Sequence, residues 1–370
     1  MKYKKTISTI ISTTIVLGAA AYGAYYGFTK LNQKDNVANN QIVNDNKNSL
    51  NVSSAGYEKN YDHRIVSWNI YNFSNSTGQF NTNKLLNVAT TLNLLQPDIV
   101  GLTEISFNDT KAIENIKSLL NKPYQSILGN SLNSTYPTKK ESVAILYNPE
   151  VFELITSGTL NPENGYVRPL FYGRFQNKVN NKHLITIFGH FDSPDNGNGE
   201  ENGALPGQGA WEEREAKLAS NVFADLKRQF PDDDIVLGAD TNIKTSNDKA
   251  FKQDSYILAY PQSYFASKTD AEVFKTSLNG KGDGYSNPYD KWLIYDAGDS
   301  NFVYAKNSNQ ELEKYPFKFD VVKAFANKYW DQQKSTELYL KSKKQKQPDS
   351  IYTIIKNVSD HAPIIIGYND

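Results

Sequence analysis

The sequence predicts a layered α/β sandwich with mixed β-sheets. Short apolar runs of strand length alternate with amphipathic helical segments, several strand runs follow one another directly, and no fixed-period repeat appears. Direct strand–strand neighbours disfavour a purely parallel sheet, in which every connection must cross over. The 370 residues suit one large domain with tails, and 39% hydrophobic with 22% charged residues excludes wholesale disorder and a polytopic membrane protein.

The chain opens on Lys2, Lys4 and Lys5, and residues 6–29 then carry no charge. A helix of that length rises about 36 Å, enough for a hydrocarbon core of about 30 Å. The basic flank places the N-terminus in the cytoplasm and the rest outside. Residues 1–30 therefore read as a signal peptide or signal anchor. Ala19–Ala21 offer a small-residue cleavage site, whereas Tyr22, Tyr25, Tyr26 and Phe28 extend the run as an interfacial belt. Residues 31–60, rich in Asn, Ser, Lys and Asp, read as a flexible tether, and 61–370 as the folded body.

Within the body, strands are predicted at Arg64–Ile70, Asp98–Leu102, Ser142–Tyr147, Phe152–Ile155, Leu170–Phe175, His183–Gly189, Asp234–Leu237, Trp292–Tyr295 and Pro363–Ile366. Helices are predicted over 82–95, closed by Pro97, over 110–120 and over 211–229. The Gly- and Asn-rich stretch 196–210 reads as a mobile loop. Residues 300–350 read as a polar elaboration of the same domain. Trp68 is expected in the core and Asp232–Asp234 in a solvated turn. His63 and His183 are assigned no role. Lys341, Lys343, Lys344 and Lys346 form a solvated face or an electrostatic guide for a polyanion.

The chain has no Cys, which excludes disulfides, thiolate metal sites and thiol nucleophiles. Its net charge is zero, so it is not a polycation that holds nucleic acid by charge alone. Lys2, Lys4, Lys5 and Lys30 stand without an acid in residues 1–30, which leaves the remainder at −4. An acidic body that handles phosphate needs metal ions between the two anions.

Several apolar runs end in polar residues that strand packing does not require, and ligands of α/β sheets bind beyond strand ends. Glu104, Asp240, Asn69, Asn242 and Asp360 supply the oxygen donors that a hard divalent cation takes. His190 and His361 can move protons near neutral pH. The nucleophile is water, because no Cys is present and no Ser stands in a nucleophile-elbow setting.

The ordered set Ser67-Trp68-Asn69, Leu102-Thr103-Glu104, Gly189-His190, Asp240-Thr241-Asn242, Tyr289-Asp290-Lys291-Trp292-Leu293 and Ser359-Asp360-His361-Ala362-Pro363 resembles the endonuclease/exonuclease/phosphatase superfamily over about residues 62–368. Glu141–Pro149 and Val167-Arg168-Pro169 resemble its DNase I-like branch, and the anchor with a Cys-free body looks like the membrane nucleases of mycoplasmas. The resemblance implies a four-layer α/β sandwich of two packed mixed β-sheets flanked by helices, after one N-terminal transmembrane or signal segment. It implies a hydrolase using a divalent cation, Mg²⁺ first and Ca²⁺ or Mn²⁺ as alternatives. Glu104, Asn69 and Asp360 would serve the metal. Asp240 and Asn242 would position phosphate, water or a second metal. His361 oriented by Asp290, and His190 oriented by Glu141, would be the acid/base pair. Arg168 would bind phosphate.

The implied substrate is DNA or RNA. The N-terminal segment places the body on the outer face of the cell membrane, or secreted if that segment is cleaved, and no obligate protein partner is evident. Ala239 between Gly238 and Asp240, and Ser106 in place of a minor-groove Arg, depart from the DNase I pattern. They leave single strands and exonucleolytic attack open. A sphingomyelinase-like or phosphoinositide phosphoesterase would share the core residues, and a non-catalytic binder would share the scaffold. Phe191-Asp192 after His190, where a sphingomyelinase commonly shows a second His, favours the nuclease, and the complete core set disfavours the binder.

Overall fold

The computed structural model describes residues 57–75, 79–130, 140–194, 203–259, 272–298, 301–306, 309–344, 346–348 and 350–370. All belong to one unit, Val52–Asp370. Along the chain run β1 (His63–Phe73), α1 (Gln79–Leu95), β2 (Ile99–Ser106), α2 (Thr110–Ser118), β3 (Gln125–Asn130), β4 (Glu141–Tyr147), β5 (Phe152–Leu160), β6 (Leu170–Asn177), β7 (His183–His190), α3 (Ala210–Gln229) and β8 (Asp234–Asp240). There follow β9 (Ile257–Leu258), β10 (Ser277–Leu278), β11 (Tyr285–Asn287), β12 (Asp290–Tyr295), β13 (Phe302–Val303), α4 (Asn309–Lys314), α5 (Val321–Ala326), α6 (Gln332–Lys343), α7 (Ile351–Val358) and β14 (Ile364–Tyr368).

Two six-stranded sheets form, in the orders β13-β14-β1-β2-β4-β3 and β5-β6-β7-β8-β12-β9. Each is mixed: β1–β2 and β7–β8 pair in parallel and the remaining pairs are antiparallel. The central strands are covered on both faces, by the opposite sheet and by helices, so His63–Ile70 and all of β8 are buried. This is why they read as continuous apolar runs rather than strict alternation. Trp68 is fully buried, as expected.

The sheets meet closely where side chains are small. A Cβ on Gly101 of β2 would collide with the ring of Phe188 on β7, and one on Gly238 of β8 would meet Trp292 and Ser67. Gly101 lets the Phe188 ring of one sheet lie against the backbone of the other, and Gly238 leaves room for the Trp292 ring of its own sheet and for Ser67 of the opposite one.

The polar stretch 300–350 is part of the outer helical layer. α6 lies on α1, where Asn87 donates to Ser335 Oγ at 2.9 Å and Trp330 Nε1 to Thr91 Oγ1 at 3.0 Å. Helix α1 is thus covered on both its apolar and much of its polar side, and Asn83, Lys84, Asn87, Thr90 and Thr91 are buried. The expected solvated turn at Asp232–Asp234 is corrected: Asp233 is buried against Arg174 (2.6 Å), and Asp234 accepts from Ala297 N, Asn301 Nδ2 and Tyr368 Oη. His63 is buried and its Nε2 meets Asp370 Oδ1 at 2.6 Å, a tie for the C-terminus. Lys341, Lys343, Lys344 and Lys346 are exposed.

Among the described residues no helix is long and apolar enough to cross a membrane, and the expected segment 1–30 lies outside them. The last residues of the expected tether are held against the body. Lys59 Nζ reaches Asp98 Oδ2 at 2.6 Å, and the Tyr57 ring lies 4.8 Å from that of Phe319.

If the glycine at the sheet interface sets the sheet spacing, Gly101→Ala should lower unfolding free energy by about 1–3 kcal/mol through overpacking. Urea denaturation measures this, and an unchanged midpoint would show that Phe188 can turn aside without cost.

Candidate active site

Strand register brings the polar strand ends to one rim of the sandwich. In the second sheet His190 pairs with Asp240 across the parallel β7–β8 ladder, and Asp290 pairs with Asp240 across the antiparallel β8–β12 ladder. Three titratable residues from distant parts of the chain therefore form one row. In the first sheet Asn69 lies opposite Thr103, beside Glu104, and Glu141 starts β4 opposite Ser106. β14 runs antiparallel to β1, with Ile364 opposite Ser67, so the preceding Asp360 and His361 sit at the same rim. Arg168 precedes β6 and reaches His190.

Asn69 joins the two sheets. Its Nδ2 donates to Glu104 Oε1 at 2.9 Å and to Asp240 Oδ2 at 3.1 Å, while its Oδ1 accepts from Tyr71 N at 3.0 Å. Asn69 thus orients carboxylates from its nitrogen, and its oxygen is already engaged. Asp240 Oδ1 accepts from Asn242 N at 3.1 Å, and Asn242 Nδ2 donates to Phe191 O at 3.3 Å. Glu104 and Asn242 both adopt left-handed backbone, φ 58° and 52°. Such strain at non-glycine residues persists only where the surroundings impose it.

Each imidazole is aimed by a carboxylate. His361 Nδ1 lies 2.6 Å from Asp290 Oδ2 and its Nε2 lies 3.3 Å from Asp240 Oδ2. Burial opposes its charge, but Asp240 and Asp290 outweigh burial and hold its pKa well above the ordinary imidazole value. His190 Nδ1 lies 3.1 Å from Glu141 Oε1, and its Nε2 lies 3.2 Å from Arg168 Nη2. Burial and Arg168 lower the pKa of His190, Glu141 and Glu104 raise it, and the balance is above the ordinary value. Arg168 can only donate, so its contact makes Nε2 an acceptor and puts the proton on Nδ1. A second proton at Nε2 must displace Arg168.

Arg168 itself is buried and heavily engaged. Besides His190 it meets Phe191 O at 3.1 Å, Asp192 Oδ1 at 3.4 Å and Glu141 Oε1 at 3.3 Å. A cleft of about 420 Å³ opens beside it, lined in part by Glu104, Glu141, Lys140 and Phe107. All ten residues singled out from the sequence thus lie in one cluster.

The donor set fits a hard divalent cation. Asp360 Oδ1 is buried without a hydrogen-bond partner, and Glu104 presents a carboxylate whose orientation is fixed by Asn69 and by Asn72 N at 2.9 Å. Ligand atoms of Asp240, Asp290 and His361 also lie within 4.8 Å of one another. There the imidazole already bonds both carboxylates, so a cation between them would have to break the 2.6 Å contact. Glu104 and Asp360 are the better pair of oxygen donors.

Sequence reasoning passed over the residues that hold these loops. Glu215 on α3 is fully buried, with Oε1 accepting from Val167 N at 2.7 Å and Oε2 from Asp192 N at 2.6 Å. It ties the Arg168 loop to the loop after His190. Gln208 donates to Asn242 O at 3.1 Å and accepts from Lys244 N at 2.9 Å. Glu213 Oε1 accepts from Leu205 N. Residues 203–209 of the expected mobile loop are therefore pinned, while 195–202 lie outside the described residues. In the sequence these Glu and Gln residues look like an ordinary polar helix start.

Burial pushes Glu215 up to about 8, against the two N–H donors and Arg168, which favour the anion. A carboxyl raised in the folded state holds a proton that the unfolded chain releases, so stability falls as pH rises from about 4.5 to about 8. Thermal melts should show that wild type loses stability across this window relative to Glu215→Gln, which cannot ionise. Parallel pH profiles for the two proteins would refute this.

The model of the Endonuclease/Exonuclease/phosphatase family matches residues 66–300. An uncharacterized protein of Mycoplasma pneumoniae is 32% identical over 190 residues, which cover 49% of this chain and 33% of that protein. The chain thus spans about a third of the length of that relative. The crystal structure of an endonuclease/exonuclease/phosphatase from Bacteroides vulgatus aligns with a TM-score of 0.50 at 14% identity, over 83% of this chain and 99% of that one. Truncated Caenorhabditis elegans TDP2 aligns with a TM-score of 0.50 at 15% identity, over 83% and 97%. These structures share the fold. With the two-sheet sandwich and the matched residues together, the chain belongs to the endonuclease/exonuclease/phosphatase family, whose members are nucleases and phosphatases.

Proposed function

We propose that the protein is a metal-dependent nuclease that hydrolyses phosphodiester bonds of DNA or RNA. We place it on the outer face of the cell membrane, where it degrades external nucleic acid and supplies nucleotides. The observation that carries the catalytic reading is the pair of carboxylate-oriented imidazoles on either side of Asp240, with His190 Nε2 at 3.7 Å and His361 Nε2 at 3.3 Å from its Oδ2. The uncharged run at 6–29 behind a basic start supports the location.

Hydrogen-bond complementarity assigns the proton transfers. Both nitrogens of His361 face carboxylate oxygens, which only accept, so both carry protons. His361 is then the acid, and its Nε2–H passes to the leaving oxygen as the bond from phosphorus breaks. His190 Nε2 accepts from Arg168 and is the base. As Arg168 turns to the phosphate, that nitrogen takes the proton of the attacking water, whose oxygen bonds to phosphorus. Asp290 and Glu141 keep the two rings aimed. Asp240 and Asn242 position the phosphate and water. Glu104 and Asp360 would hold a divalent cation, which when bound would supply Lewis-acid polarisation of the phosphoryl oxygen.

Incubation with closed circular DNA and Mg²⁺ should give nicking or degradation that EDTA abolishes. His190→Ala and His361→Ala should each lower turnover by about 10²–10⁴-fold, and Glu104→Gln should raise the metal concentration required. Cleavage that persists in EDTA, or full activity in either histidine variant, would count against this mechanism. A folded protein inactive on DNA and RNA with several divalent metals would move the reading to lipid-headgroup phosphoesters.

A further inference from the structure

β1 does not end as a regular strand. Its pairing with β2 shifts register between Asn69 and Phe73, and Tyr71 and Asn72 both lie in the left-handed region, φ 50° and 52°. Left-handed backbone at non-glycine residues is strained and persists only where the surroundings impose it. The bulge is also where Glu104 is fixed. Asn72 N donates to Glu104 Oε2, Tyr71 N donates to Asn69 Oδ1, and Asn69 Nδ2 donates to Glu104 Oε1.

Lys84 of α1 stands behind this bulge. It is fully buried, its Nζ donates to Ile70 O at 3.0 Å and to Tyr71 O, and the same atom lies 4.9 Å from the centroid of the Tyr71 ring. A buried lysine is rare without compensation. Here two backbone carbonyls and one ring face provide it. Burial lowers its pKa to about 8 while Glu104 and Asp360 hold it up, so the ammonium is charged at neutral pH.

We propose that Lys84 is a positioning residue of the cation site: its ammonium, anchored on the carbonyls of Ile70 and Tyr71, fixes the left-handed bulge that turns Asn69 and the Asn72 N–H onto Glu104. The proposal rests on the reading of Glu104 as a cation ligand. It predicts the opposite sign from simple charge repulsion. A positive charge near Glu104 and Asp360 opposes a bound cation, so its removal alone would tighten binding. Loss of positioning loosens binding, because groups that orient a ligating carboxylate typically contribute about 10–100-fold to affinity.

The test is calorimetric titration of Mn²⁺ into the full chain and into Lys84→Met, with thermal melts to verify folding. The expected result is binding about 10–100-fold weaker in the variant. Unchanged or tighter binding in a folded Lys84→Met protein would overturn the proposal. A purely structural role would lower the melting temperature and leave metal affinity intact, which also overturns it. Should the methionine variant fail to fold, Lys84→Gln, which keeps a donor but shortens its reach, is read in the same way. Failure of the wild type to bind Mn²⁺ would instead remove the cation reading beneath it.

Discussion

One amide nitrogen holds the site together. Asn69 Nδ2, at the end of a strand in the first sheet, donates to Glu104 from its own sheet and to Asp240 from the other. Two carboxylates that repel each other are thereby kept on one donor at the rim where the sheets meet. Asp290, Glu141 and Asp360 add to this concentration of negative charge, and Arg168, His190 and His361 answer it from within the protein. Burial works against ionised Asp240, yet the two imidazoles and the Asn69 amide keep its pKa below the ordinary carboxylate value. A site of this composition attracts cations and repels phosphate until one is bound, which is the electrostatic logic of metal-assisted phosphoester chemistry.

The scaffold behind the site uses buried charge where many proteins use apolar packing. Lys291 and Asp248 are both fully buried and 3.3 Å apart. Lys291 follows Asp290, so strand alternation turns it to the opposite face of the sheet, where it ties β12 to the turn after Asn242. Breaking such a pair from one side leaves an uncompensated charge, at a cost of about 3–5 kcal/mol. Buried carboxyl groups rather than ion pairs do the corresponding work at the first turns of α3: Glu215, Glu212 and Glu213 each accept backbone N–H groups of the loops that carry Arg168, Asp192 and Gln208. The left-handed backbone at Asn242 is held in this way, since Gln208 Nε2 donates both to Glu212 Oε1 and to Asn242 O.

The large strands and helices were legible in the sequence because their signals are local. The run at 183–189 becomes β7 at His183–His190, and the periodicity over 211–229 becomes α3 at Ala210–Gln229. The polar residues at strand ends were legible because packing gives no reason for them. β3 at Gln125–Asn130 was missed because an edge strand with half-exposed residues carries no continuous apolar run. The helices of 300–350 were missed because α6 buries only Ser335 and Tyr339 among its described residues, too little to show a periodic stripe. The effect of α6 is large all the same, since it closes over α1.

The sequence by itself determined the residue types of the site, their order along the chain and the alternation of strands and helices. Those properties are set by side-chain chemistry and by periodicities within ten to twenty residues. Only the tertiary structure decided that His190, Asp240 and Asp290 stand in one row, that Asn69 spans the two sheets, and that Lys84 and Glu215 lie inside rather than on polar helix faces. Strand register and layer covering join residues far apart in the chain. The burial that gives a lysine or a glutamate its electrostatic weight exists only once those layers have closed.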